Sequence, residues 1–208
     1  MSISVSYFNS TEVPEEANFT QLKCNNWSRE FPYCPDVKIK LWHNDKSLFI
    51  HFKVEEDFVA AKADKNNGEV WKDSCVELFI SFDDNGYYNI ETNCIGKILM
   101  SHREGRKINV KYAGEEIIHS IKRITSLGTD PIPCRKNFHP WELTLEIPAK
   151  AFFKHNMSTL GGVSAKCNIY KCGDDLPSPH FISLFPIDTE KPDFHRPEFF
   201  QQIFFLPE

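Results

Sequence analysis

Trp71-Lys72-Asp73-Ser74-Cys75-Val76-Glu77-Leu78-Phe79-Ile80-Ser81-Phe82 runs into an acidic turn and then into Tyr87-Tyr88-Asn89-Ile90-Glu91-Thr92-Asn93. Side chains alternate across a strand, so the first half sends Val76, Leu78, Ile80 and Phe82 to one face and Asp73, Glu77 and Phe79 to the other. The second half sends Tyr88, Ile90 and Cys94 one way and Tyr87, Asn89, Glu91 and Asn93 the other. A three-residue loop, Asp84-Asn85-Gly86 with glycine in the left-handed position, closes the halves as a hairpin. Such a loop sets Phe82 against Tyr88, Ile80 against Ile90, Glu77 against Asn93 and Phe79 against Glu91. A loop of the opposite parity would mix the faces, which register resists. The expected product is a sheet with one apolar face and one face where hydrogen-bonding groups stand between aromatics.

Outward from this hairpin the same period recurs. Val37, Ile39 and Leu41 alternate with Lys38, Lys40 and Trp42, then Asn44-Asp45-Lys46 turns the chain. Leu48, Ile50, Phe52 and Val54 follow, alternating with Phe49, His51, Lys53 and Glu55, which predicts a second hairpin. Strand patterns also cover 97–101, 117–124, 141–147 and 163–172, with 180–185 and 202–206 completing the set. In 163–172, Val163, Ala165, Cys167 and Ile169 point inward while Lys166, Asn168 and Tyr170 point outward. Residues 56–69, 102–115 and 125–138 read as loops, the middle one basic. Pro148 suits the first position of a short helix running to Phe153. Residues 1–35 read as an irregular arm laid across the strands. Many short strands and one short helix predict an all-β, immunoglobulin-like antiparallel β-sandwich, as a single domain over 1–208.

The composition fits that class and removes others. With 41% hydrophobic and 25% charged residues in 208, the chain can bury a substantial core and remain soluble. A net charge of −5, without clustered Lys and Arg on a periodic face, gives no footprint for nucleic acid. No apolar run approaches the roughly 20 residues that a membrane span needs. The first residues lack the basic and apolar regions of a secretory leader. The expected location is therefore the cytoplasm, or the periplasm or exterior if a leader has been removed. Seven cysteines, an odd number at no metal-ligand spacing, read as free and mostly buried thiols. Cys167 and Cys172 lie five apart, so a regular strand sends them to opposite faces.

Catalytic chemistry finds little support. A glycosidase needs two carboxyls about 5–10 Å apart across a cleft, whereas Asp73 and Glu77 share one strand face and sit roughly 13 Å apart along it. Nucleophile-elbow, phosphate-loop and His-Glu-x-x-His motifs are absent. Haem needs axial ligands on opposing elements. Met100 and His102 share one parity of one strand, which leaves Met157 with His180 or His195 as a pair. Asp83 and Asp84, beside Asn85, offer oxygen ligands for calcium, although a hairpin turn prefers the same residues for its own geometry.

The string Trp71-x-Asp73-Ser74-x-Val76-Glu77-x-Phe79-Ile80, followed by Tyr88-Asn89, Asn93 and Gly96, resembles carbohydrate-binding module family 9 and its DOMON-like relatives. Asn168-x-Tyr170-Lys171, Pro186-Ile187-Asp188 and the run Pro192-Asp193-Phe194-His195-Arg196-Pro197-Glu198-Phe199-Phe200 resemble a branch of that family built as free-standing single domains. The resemblance implies a DOMON-like β-sandwich that binds a mono- or oligosaccharide without catalysis, in the service of polysaccharide or oligosaccharide use. It implies that Trp71 forms half of an aromatic clamp and that polar groups at Glu77 and Asn93 take sugar hydroxyls. The family's second clamp residue is a late tryptophan, and none follows Trp141 here, so Phe181 or Phe185 stands in. Strand parity adds Glu91 and Asn168 to the candidate ligand-binding set. No cofactor is expected beyond the calcium that Asp83 and Asp84 could hold. The rival readings are a protein-interaction scaffold that presents the same aromatic face, and a haem-binding DOMON-type domain.

Overall fold

In the computed structural model, which describes residues 2–208, strands and loops alternate from end to end. The first strands are β1 (Ser2–Tyr7), β2 (Thr20–Gln21), β3 (Cys24–Asn25), β4 (Asp36–His43), β5 (Ser47–Glu55) and β6 (Phe58–Ala61). Then come β7 (Cys75–Ser81), β8 (Tyr87–Asn93), β9 (Ile98–Arg103) and β10 (Lys111–Tyr112). After a helix, α1 (Glu115–Ser120), follow β11 (Lys122–Thr125), β12 (Ile132–Lys136), β13 (Trp141–Pro148), β14 (Ser164–Cys172), β15 (Phe181–Ser183) and β16 (Gln201–Phe205).

One layer runs β10-β9-β8-β7-β14-β16-β1 and the other β1-β4-β5-β13-β11. β1 belongs to both. Its first residues run parallel to Gln202–Phe205, and Ser6 and Tyr7 run parallel to Trp42 and His43. The architecture is an all-β sandwich, with these parallel joins at one corner of otherwise antiparallel layers. β1 also corrects the reading of residues 1–35 as irregular. Ile3 and Val5 alternate with Ser2, Ser4 and Ser6, a period-2 pattern short enough to overlook.

The apolar faces of the two layers meet in the main core. Val76, Leu78 and Ile80 from β7 pack there with Tyr88 and Ile90 from β8, Ile50 and Phe52 from β5, and Leu143 and Leu145 from β13. Each such side chain contributes about 1.5–3 kcal/mol when fully buried. Cys167 lies in this core and Cys172 on the opposite face, as their odd spacing requires.

Several local expectations differ from the structure. The β7–β8 register pairs Glu77 with Glu91, Phe79 with Asn89 and Ile80 with Tyr88, two residues away from the pairing expected of a three-residue loop. The connection spans 82–86. There Ser81 Oγ lies 2.6 Å from the carbonyls of both Asp83 and Gly86, and Asp83 Oδ1 accepts from the Asn85 backbone N–H at 2.8 Å. The shift is even, so every side chain keeps its face. Gly86 is obligatory at φ +132°, because a Cβ there would meet the Arg103 carbonyl oxygen at 2.5 Å. The expected strand at 117–124 splits into α1 and β11. Glu115 and Glu116 favour a helix start, and the buried Ile118 and Ile121 are three apart, a helical spacing. Residues 125–138 are not all loop, since β12 pairs with β6 as a separate ribbon. The turn after Pro148 covers only Ala149–Ala151.

The polar-aromatic face of β7, β8 and β14 is not left to solvent. Every residue of β7 and β8 is buried. The segment 186–200 lies across this face, tied at one end by Trp27 Nε1, which donates to the Thr189 carbonyl at 2.9 Å. Phe194, Phe200, Phe79, Tyr87 and Tyr170 make a second, smaller apolar cluster beneath it.

Candidate functional site

The register of β14, β7, β8 and β9 sets side chains in rows across the covered face. Tyr170, Glu77, Glu91 and Leu99 form one row; Asn168, Phe79, Asn89 and Ser101 form the next. Aromatic packing fills part of the face. Phe194 stacks on Tyr170 with centroids 4.1 Å apart, and Tyr87 Oη lies 3.0 Å from His195 Nδ1. Beside it a cavity of 340 Å³ remains open, with Glu77, Glu91 and Cys172 lining it. Trp71, Phe181 and Phe194 supply its aromatic walls, and Arg103, Arg106, Lys107, Asp174 and Asp193 its remaining charged lining. Trp71 reaches it from the single turn Val70–Lys72 that precedes β7.

A polar chain holds one carboxylate of the floor in place. Arg103 Nη2 donates to Ser101 Oγ at 2.6 Å, Ser101 Oγ to Asn89 Oδ1 at 2.5 Å, and Asn89 Nδ2 to Glu91 Oε1 at 2.8 Å. Among the described residues, Glu77 accepts only from Cys172 Sγ, at 3.1 Å from its Oε1. Glu77 and Glu91 are 3% and 5% exposed and directly opposite one another, and among the described residues neither has an ion-pair partner. Burial pushes the Glu77 carboxyl well above its ordinary range, and the neighbouring Glu91 charge pushes it further. Burial raises Glu91 to about 7 against the pull of Asn89 and Arg103. Asp174 rises to about 6 through burial and the adjacent Asp175, while burial and the Arg103 and Arg106 charges drop His195 to about 3. Two buried carboxyls with raised pKa values thus share the cavity with the cations Arg103, Arg106 and Lys107. Such a mixture suits a ligand rich in hydroxyl donors and acceptors.

Of the residues singled out from sequence, Trp71, Glu77, Glu91 and Phe181 line this cavity together. Asn93, Asn168 and Phe185 do not. Asn93 donates to Ala63 O and Asp73 Oδ2 and accepts from the Lys97 N–H, so it holds the Asn93–Gly96 turn. Asn168 Nδ2 donates to Phe185 O at 3.1 Å, and its Oδ1 accepts from the Phe185 N–H at 3.0 Å, pinning the chain after β15. Phe185 is 5% exposed at that anchor. Parity assigned these amides the correct face, but neighbouring backbone and the Asp73 carboxylate take up their hydrogen bonds. Both oxygens of Asp83 serve the hairpin turn and His155, and Asp84 sits 3.6 Å from Lys166 Nζ. His180 is held by Lys171 and Ser178, and His195 by Tyr87.

The sequence reading missed the cationic wall and the covering segment. Arg103 was legible in principle, since it continues the parity of Leu99 and Ser101. Arg106 and Lys107 follow in the basic stretch first read only as a loop.

The sequence profile of carbohydrate-binding family 9 matches residues 10–205. The chain belongs to that family. A candidate carbohydrate-binding protein from Bacteroides uniformis is 38% identical over 98% of each chain, and its crystal structure superposes with a TM-score of 0.92. Two structures of a family 9 module from Caldicellulosiruptor kristjanssonii share the fold. The complex with cellotriose is 14% identical with a TM-score of 0.65, covering 100% of this chain and 95% of that one. The glucose complex is 16% identical with a TM-score of 0.66, covering 100% and 97%. No curated protein matches the chain. None of the described helices is long and apolar enough to cross a membrane.

Proposed function

We propose that this family 9 protein binds a mono- or oligosaccharide, without catalysis, in the cavity between Trp71 and Phe181. The observation that carries this reading is the union of aromatic walls with two buried glutamate carboxyls and a guanidinium beside them. Aromatic faces take the C–H surface of a pyranose, while Glu77, Glu91 and Arg103 take its hydroxyls. A volume of 340 Å³ lies at the small end of the roughly 300–1,000 Å³ typical of ligand sites, which suits one or two sugar units. Family membership supports the reading, as do the cellotriose and glucose bound by the Caldicellulosiruptor kristjanssonii module. Glu77 and Glu91 approach a bound ring from the same sheet face. The acid and nucleophile of a glycosidase must instead flank the scissile bond.

The test is a calorimetric screen across neutral and charged glycans, repeated with Trp71→Ala. Heat that is sugar-specific and lost in the variant, with circular dichroism unchanged, supports saccharide binding. No heat from any glycan, together with a stable protein partner recovered on the same face, overturns it in favour of a scaffold role.

A further inference from the structure

We propose that Cys75, Glu77 and Cys172 form a binding site for one thiophilic divalent cation of the zinc class at the base of the cavity. The site does not depend on the saccharide reading. Cys75 on β7 stands directly opposite Cys172 on β14, and Glu77 follows two residues later on the same face. One donor atom from each of the three side chains lies within 4.8 Å of the others, and all three side chains are buried. A tetrahedral zinc ion, with sulfur at about 2.3 Å and oxygen at about 2.0–2.2 Å, holds its ligand atoms under about 4 Å apart. The Cys172–Glu77 contact of 3.1 Å is already within that limit, so rotamer adjustments within one cluster complete the set.

Charge favours the same occupant. Glu77 faces Glu91 with no ion pair among the described residues, and Asp174 adds a third carboxyl nearby. A buried carboxylate pair is costly unless a cation joins it. Two thiols with one carboxylate select a borderline-soft ion and disfavour calcium or magnesium, which want six or more oxygens. Glu77 and Cys172 line the cavity, so the fourth coordination position opens toward bound water or a ligand hydroxyl, the pattern of an open zinc site.

Fully reduced protein titrated with Co2+ should show one ion per chain, with thiolate-to-cobalt charge-transfer and tetrahedral d–d bands that Zn2+ displaces. Cys75→Ser or Cys172→Ser should abolish the charge-transfer signature. Glu77→Gln should weaken binding by at least the roughly 10–100-fold that loss of a mere outer-shell partner costs. A triple variant, Cys24→Ser, Cys34→Ser and Cys134→Ser, removes the cysteines that are not buried and should leave the spectrum unchanged. A wild-type spectrum in Cys75→Ser or Cys172→Ser, or its loss in the triple variant, overturns the site. Anomalous diffraction from crystals grown with zinc tests it without any substitution: a peak between the three side chains is expected, and a peak elsewhere or none contradicts it.

Discussion

Glu91→Gln should make the protein more stable above neutral pH and leave it nearly unchanged in mild acid. The carboxyl is buried, and its pKa moves from the ordinary 4.5 to about 7. At about 1.4 kcal/mol per pH unit, holding it ionised in the folded state costs about 3 kcal/mol. Below about pH 4.5 both folded and unfolded chains carry the proton, so no cost exists. Between about 4.5 and 7 the unfolded chain has released a proton that the folded chain still binds, and stability falls as pH rises. Above the folded value the full cost applies. Glutamine has the same shape and keeps an oxygen for the Asn89 Nδ2 donor, so the polar chain from Arg103 survives while the charge opposite Glu77 disappears. Urea unfolding of both proteins at about pH 5 and about pH 8 reads the effect directly. The variant should gain little at the lower pH and about 3 kcal/mol at the higher, or roughly 6–12 °C in Tm for a chain of this size. Equal stabilities at both pH values, or a variant less stable at the higher one, would refute the claim that the floor stores an uncompensated charge.

Trp71→Ala should weaken saccharide binding by about 1.5–3 kcal/mol, roughly 10–150-fold, read by calorimetry with the fold checked by circular dichroism. Asn168→Ala should leave the Phe185 amide without its Asn168 partner, while the Ser183 hydroxyl still donates to the Phe185 carbonyl at 2.6 Å. The expected cost is about 1–3 kcal/mol in chemical denaturation, with saccharide affinity of the folded fraction unchanged. Lys171→Met should cost about 3–5 kcal/mol, because Lys171 Nζ lies 2.8 Å from Glu56 Oε2 with both side chains fully buried. Adding Glu56→Gln should recover a large part of that loss, and a double-mutant cycle measures it.

The parts of this fold that follow from a period of two could be read from the residues alone. Val76, Leu78 and Ile80 alternate with Glu77 and Phe79, and the structure keeps that division into core and site faces. The Glu77–Glu91 pairing could not be read the same way. Ser81 and Asp83 decide the length of the loop through side-chain contacts with the backbone, and periodicity is blind to an even shift. The covering segment 186–200 has no period, so nothing in its pattern says that it caps the face that parity left outward. Asn93 and Asn168 show the consequence: their faces were legible, but Ala63 and Phe185 are brought to them only by the tertiary fold, and Lys97 by the local turn after β8. β1 and α1 failed for the opposite reason. Each is so short that a polar arm and a strand fitted the residues equally well.

A crystal structure of the protein with the strongest binder from the glycan screen shows whether the cavity over Glu77 and Glu91 receives a sugar ring. The ring is expected between Trp71 and Phe181, with hydroxyls within hydrogen-bond distance of Glu77, Glu91 and the Arg103 guanidinium. A saccharide seated anywhere else on the surface, with this cavity holding only water, would contradict it.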